Sequence, residues 1–331
     1  MRLACQPLLL VALLASAAGA RADTGHPFAE APPSVAQGRP FVVVVNGAAP
    51  SSTTARLVYA DGADGPAFPA FVPPAKPSAG GRAVIGDGPS AREPYPRGLC
   101  LVLAAVPLDA PVGPAALMVE SAGAAPIRIA MDILPGGFLD EDIALDQSLT
   151  DIVESTEARK AEEARRLRDL LAYVDPAGVW LDSGFARPVA SERRTAFYGD
   201  HRRYLRAGGG VTVGIHAGVD YGCPTGTPVS AAGRGLVVMA EDRIVSGNTV
   251  VIEHLPGVYT LYMHLDSMVV AVGMPVVRGD RIGAVGATGL ATGPHLHWEL
   301  RILGMAADPE ALVGLDKIPD IRTMAPAVGR R

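Results

Sequence analysis

Cysteine is scarce in this chain: three residues in 331, and one of them, Cys5, lies in the first few positions. Only Cys100 and Cys223 remain beyond it, so a disulfide-dense scaffold is excluded. The two fall in segments with different sequence character, and two separate buried thiols are the expectation. Excess basic charge is also missing. Lys and Arg number 29 against 34 Asp and Glu, a net charge of −5. A nucleic-acid surface needs a basic patch that neutralises phosphates, so that partner class is set aside. Aromatic residues make up only 5 %, yet hydrophobic residues reach 49 %, enough to pack a core without metal or disulfide staples. No long apolar run occurs after the first 22 residues, so no membrane-spanning helix is expected in the rest of the chain.

Those first residues read as an export signal. Met1-Arg2 gives a positive start, "PLLLVALLASAAGA" is a short apolar run, and Ala20-Arg21-Ala22 is an A-x-A cleavage site. Cys5 precedes the apolar run instead of ending it, which argues against lipid attachment. The expectation is an exported chain, periplasmic, with a signal peptide at 1–22.

Residues 23–137 alternate short apolar runs with Gly, Pro, Asn and Asp, as in "RPFVVVVNG", "TARLVYADG" and "GLCLVLAAVPL". That pattern predicts an antiparallel β-sandwich, Ig-like in strand spacing. Residues 138–178 predict a helical linker. Within "SLTDIVESTEARKAEEARRLRDLLAYV" an apolar stripe is expected at Ala161, Ala164, Leu167, Leu171 and Val174, ending at Asp175-Pro176. Residues 179–312 return to strands and tight turns, with "VVIEH-LPG-VYTLYMHL" as a hairpin. The fold class is therefore mainly β, with a second β-sandwich-like domain and a tail at 313–331.

Histidine is sparse too, seven in all, yet "HAGVD", "YMHLD" and "HLHWE" place four of them in the second β unit beside an aspartate. On a strand, side chains alternate, so His295 and His297 share one face while Leu296 and Trp298 face the core. Residues two apart on a strand stand about 7 Å apart, too far for both to bind one zinc undistorted. One can ligate while the other reaches the same water. A catalytic zinc needs three protein ligands and an open position. His216, Asp220 and His297 can supply the three. His264 and His295 are then free for proton transfer or oxyanion stabilisation. His254, beside the hairpin turn, is expected to be a surface or turn residue with no role. Each element alone is weak, since an H-x-H pair or an H-x-x-x-D spacing is commonplace. Their joint occurrence in one unit carries the reading. The helical zinc signature H-E-x-x-H, phosphate and dinucleotide loops and the G-x-S-x-G elbow are all missing.

From Phe185 to Leu312 the sequence resembles the lysostaphin/LytM-type zinc metallopeptidases. "TAFYGDHRRY", "HAGVDYGCPTGTPVSAAGRGLVV", "GNTVVIEHLPGVYTLYMHL" and "VVRGDRIGAVGATGLATGPHLHWELR" arrive in that family's order. The resemblance implies one zinc held by His216, Asp220 and His297, with His264 and His295 as the catalytic histidines. It implies a peptidoglycan endopeptidase, D,D-specific in many Gram-negative members, whose partner is a peptide of the bacterial wall. One departure is Cys223, where the family often has alanine; a thiol there could reach the zinc.

Two other classes compete. A non-catalytic wall-binding or amidase-activating relative would typically have lost ligands, and all five positions are intact. A lipoyl or biotinyl carrier shares the turn pattern of "VVRGDRIGAVGATG" but needs a lysine on a hairpin tip, and none lies between Lys160 and Lys317.

Overall fold

The computed structural model describes residues 28–72, 99–178, 180–181 and 184–314. The expected signal peptide at 1–22 and the tail from residue 315 lie outside the described residues. Among the described residues no helix is long and apolar enough to cross a membrane.

The chain is mainly β. Its first unit comprises β1 (Phe28–Glu30), β2 (Ser34–Ala36), β3 (Pro40–Asn46), β4 (Thr53–Tyr59), β5 (Asp64–Phe71), β6 (Cys100–Ala105), β7 (Gly113–Ser121) and β8 (Ile127–Leu134). Strand order is β1-β3-β6-β5-β4-β7-β8-β2. β5 pairs with β4 through its first part and with β6 at Ala70 and Phe71, so one strand joins two ladders. β-branched and aromatic side chains suit a pleated, buried surface, and Phe41, Val43 and Val45 of β3 all point into the core. The expected antiparallel pattern has one exception: β2 runs parallel to β8.

The segment predicted as a helical linker starts with a strand, β9 (Asp140–Ala144), followed by α1 (Gln147–Glu154) and α2 (Ala158–Ala172). Asp146 caps α1 by accepting from the Leu149 N–H at 2.9 Å. The predicted stripe fails over its first half. Ala161 and Ala164 are exposed, and Glu163 is buried in their stead. Its carboxylate accepts from Arg159 Nε at 2.6 Å and from the Ile244 N–H at 2.9 Å. Only Leu167, Leu170 and Leu171 keep the apolar contact, against Met239, Val251, Tyr259, Leu261 and Met263. A hydrogen-bonded carboxylate at the helix's contact face outweighed methyl groups that had nothing to pack on.

The second unit comprises β10 (Arg194–Ala196), β11 (His201–Leu205), β12 (Val211–Ile215), β13 (Val219–Gly222), β14 (Pro228–Ser230), β15 (Gly235–Arg243), β16 (Gly247–Leu255), β17 (Val258–Met268), β18 (Pro275–Val276), β19 (Arg281–Val285), β20 (His295–Ile302) and β21 (Met305–Ala307). Its main path is β10-β13-β20-β17-β16-β15-β18. β16 and β17 form the expected hairpin, closed by Gly257 at φ 73°. β17 pairs with β20 as far as Met263 and with β19 from Leu265. Val229 of β14 and Ile282 and Val285 of β19 share one core with Tyr221, Tyr262, Leu296 and Trp298. A small separate sheet, β12-β11-β9, ties the linker to the second unit: β9 runs parallel to β11, with Glu141 opposite Arg202, and β11 runs antiparallel to β12.

His254 corrects an expectation. It is fully buried on β16, with Nδ1 donating to the Arg234 carbonyl at 2.7 Å and Nε2 2.7 Å from Thr260 Oγ1. Burial depresses its pKa to about 4, so it is a neutral core histidine. The two units meet where Arg39 pairs with Asp308 at 2.9 Å and the Asp308 N–H donates to the Gly38 carbonyl. Gly38 has φ 76°, and a Cβ there would sit 2.4 Å from Tyr198. Only glycine allows both the turn and the contact.

Candidate metal centre

Three strands and one loop bring the five singled-out residues together. Asp220 on β13 lies directly opposite His297 on β20. His297 in turn lies opposite Met263, next to His264. His216 follows β12 and sits four residues before Asp220. Strand alternation puts His295 and His297 on the face away from Leu296 and Trp298, both of which are fully buried in the core.

His264 sits at the point where β17 changes partner from β20 to β19. Its φ is 59°, in the left-handed region that a histidine seldom adopts. Its N–H donates to the Ser246 carbonyl at 2.9 Å, and its Nδ1 donates to the Thr288 carbonyl at 2.8 Å. The ring is therefore fixed from both ends, the situation in which an uncommon backbone conformation persists at a site.

Which nitrogen of each ring carries a proton follows from its partner, because a carbonyl or carboxylate can only accept. His216 Nδ1 donates to the Phe197 carbonyl at 2.7 Å, leaving Nε2 as its lone pair. His297 Nε2 donates to Glu299 Oε1 at 2.9 Å, leaving Nδ1. Those two free nitrogens lie 3.0 Å apart, and Asp220 Oδ1 lies 3.1 Å from the first and 2.8 Å from the second. Among the described residues, His216, Asp220 and His297 form the cluster able to hold a metal ion. Three such atoms this close repel one another unless a cation, a proton or a metal ion, lies among them. A tetrahedral zinc with bonds of about 2.0–2.1 Å separates its ligand atoms by about 3.3 Å. The donor set fits such an ion, with nitrogen, nitrogen and carboxylate oxygen.

The surrounding charges fit as well. Burial opposes charge on His297, but hydrogen bonds to Asp220 and Glu299 outweigh it and push its pKa up to about 9. In the metal-free chain a proton thus stands where a cation would. Burial opposes ionisation of Asp220, yet the two histidines hold it well below the usual carboxylate range. Burial, then the like charges of His295 and His297, depress His264 to about 3, keeping it neutral. Burial also lowers His216.

His295 donates Nδ1 to the Gly293 carbonyl at 2.8 Å, so its Nε2 is free and lies 3.7 Å from Asp220 Oδ1. The His264 and His295 rings are 4.9 Å apart, and His264 is 6.0 Å from His297. Two imidazoles with pinned Nδ1–H groups therefore flank the three converging atoms.

Cys223, the departure noted in the sequence, stands just after β13, three residues from Asp220. It is buried in the core and is free, as is Cys100. Burial pushes its thiol pKa up, against a hydrogen bond from Ser191.

Sequence reasoning missed four partners. Glu299 holds His297 and is itself held by Arg301 at 2.6 Å, which offsets its burial and keeps its pKa at about 2. Its position two residues after His297 was a readable signal, since alternation puts it on the same face. Arg202, Glu141 and Asp200 gave no such signal, because they reach the site across strands.

Residues 214–309 match the model of Peptidase family M23. The chain is 44 % identical over 135 residues to the peptidoglycan DD-endopeptidase ShyA of Vibrio cholerae, covering 40 % of this chain and 30 % of ShyA. It is 46 % identical over 95 residues to the DD-carboxypeptidase/endopeptidase Mpg of Neisseria meningitidis, covering 29 % of this chain and 22 % of that protein. The chain thus spans a third or less of the length of these curated relatives. A solved structure described as a peptidase M23 from Pseudomonas aeruginosa matches with a TM-score of 0.54 at 22 % identity, over 85 % of this chain and 96 % of that one. That likeness concerns the fold of both units.

Proposed function

We propose that this chain, whose residues 214–309 match the model of Peptidase family M23, is a zinc-dependent endopeptidase of bacterial peptidoglycan. Its substrate is the stem peptide or cross-link of the wall; the relatives it resembles are named as peptidoglycan DD-endopeptidases. Residues 179–312 act as the catalytic domain, 23–137 as a separate β module, and the chain works after export, in the periplasm.

The observation that carries the reading is the division of the four site histidines. His216 Nε2, His297 Nδ1 and Asp220 Oδ1 converge as ligands, whereas His264 and His295 keep Nε2 lone pairs free beside them. When bound, zinc supplies a Lewis acid for the scissile carbonyl and acidifies the attacking water. Glu299 and the Phe197 carbonyl keep the ligand tautomers correct. His264 and His295 present acceptor lone pairs at Nε2, since their other nitrogens are already committed. His295 is the less buried of the two and stands beside the Asp220 carboxylate, so it is the better seat for a transient positive charge. It takes the proton of the attacking water and returns it to the leaving amine. His264, buried and neutral, accepts a hydrogen bond that orients the reactants.

The test is digestion of purified peptidoglycan by the full chain, with mass analysis of the released fragments. Fragments cut at a peptide bond are expected. Chelator should abolish their release, and added zinc should restore it. A chain that takes up no zinc and releases nothing would be a wall-binding relative instead.

A further inference from the structure

Asp220 divides its two oxygens between different tasks. Oδ1 faces His216 and His297, at 3.1 and 2.8 Å. Oδ2 accepts from Arg202 Nη2 at 2.8 Å, and Arg202 Nε donates to Glu141 Oε2 at 3.1 Å. Arg202 is on β11, and Glu141 is on β9, in the segment that connects the two β units. The Arg202 side chain is only 11 % exposed and that of Asp220 8 %. Buried charges at this depth persist only when partnered, so Arg202 and Asp220 stand as a pair, with the more exposed Glu141 (37 %) as the outer partner of Arg202.

A second path reaches the other side of the centre from the same segment. The Leu139 N–H donates to Asp200 Oδ1 at 3.1 Å, and the His201 N–H donates to the Leu139 carbonyl at 2.8 Å. Asp200, buried, also accepts from the Phe197 N–H at 3.3 Å. The Phe197 carbonyl holds His216 Nδ1, and the Asp200 carbonyl accepts from the His216 N–H at 2.8 Å. Gly199, with φ 85°, lets Phe138 pack there; a Cβ would lie 2.2 Å from its ring.

We propose that the connecting segment 138–141 is a working part of the metal centre. Through Arg202, Glu141 fixes the orientation of the Asp220 carboxylate, and through Asp200 the same segment fixes His216. Arg202 and Glu141 are positioning residues: they touch no reacting atom. Docking of the connector and retention of the metal are then two readings of one equilibrium, so a partner that draws the connector away loosens the zinc. This rests on the reading of the site as a zinc centre.

The experiment measures zinc affinity of the full chain by chelator competition, and the rise in Tm on adding zinc, for R202M, R202K, E141Q and D142N. Asp142 is the internal control: it lies on the same strand and pairs at 3.2 Å with Arg203, on the sheet's solvent face. Losing an outer partner of a metal ligand costs about 10- to 100-fold in affinity. R202M should show that loss, and E141Q a smaller one of the same sign. R202K should fall between R202M and wild type, since lysine keeps the charge but cannot fork to both carboxylates. D142N should match wild type. A purely structural role would lower apo and zinc-loaded Tm equally; the positioning role shrinks the gap between them. Wild-type affinity in both R202M and E141Q overturns the proposal while leaving the zinc centre standing. A wild-type chain that takes up no zinc overturns both.

Discussion

The two β units bury different chemistry. Among described residues 28–134 the only buried polar side chain is Thr53, hydrogen-bonded to the Ala49 carbonyl and Ser121. The second unit buries Asp200, His216, Asp220, Glu253, His254, His264, His297 and Glu299. Burying ionisable groups is costly unless each is partnered. The first unit avoids the cost, and its core can be read as packing alone. In the second unit the distinction lies in where free lone pairs point. His254 is as buried as any ligand, but both its nitrogens are used by Arg234 and Thr260. His216 and His297 each keep one nitrogen free, and these converge with Asp220. Burial marks polar residues under constraint; unspent donor atoms aimed at one point mark chemistry.

The contrast can be broken most severely at the converging atoms. His216→Ala, Asp220→Ala or His297→Ala should abolish both zinc retention and peptidoglycan cleavage, measured by metal analysis and fragment release. His264→Ala should keep its zinc and lose about 10²-fold in rate, the cost of leaving the reactants poorly oriented. Glu299→Gln, which replaces the anionic partner of His297, should weaken zinc binding about 10- to 100-fold by chelator competition.

Acidity sharpens the contrast further. Zinc must displace the proton on His297, whose pKa is about 9 in the metal-free chain. Apparent zinc affinity should therefore rise by about tenfold per pH unit up to about pH 9 and then level off. The stability sign is opposite. A raised folded-state pKa contributes stability below about 6.5 that is lost as pH rises towards about 9. The apo chain should accordingly lose stability over that window in thermal melts, and the zinc-loaded chain should not.

The smallest effect on the site should come from the other unit. Leu101 on β6 is fully buried. Leu101→Ala should cost about 2–5 kcal/mol of stability through the cavity it leaves. Zinc affinity should stay at the wild-type value. A change there would mean that the packing of the first unit reaches the centre.

Much of this site was legible because it lies on strands. The period of two places His295, His297 and Glu299 on one face and Leu296, Trp298 and Leu300 on the other, and the core burial of Leu296, Trp298 and Leu300 follows that rule. What stayed hidden depends on register between distant segments. Nothing in the spacing of Glu141, Arg202 and Asp220 reveals that β9 pairs with β11 at the first two or that Arg202 then reaches the third. The α2 stripe misled because Glu163 found three-dimensional partners at Arg159 and Ile244 that periodicity does not encode. His254 misled because proximity to a turn says nothing about depth in a sheet.

The division of the histidines is tested most directly by His295→Ala, with zinc counted by native mass spectrometry and cleavage followed on purified peptidoglycan. The expected result is one zinc per chain, as in wild type, with fragment release lost. A variant that loses its zinc along with its activity would contradict the division and make His295 a ligand.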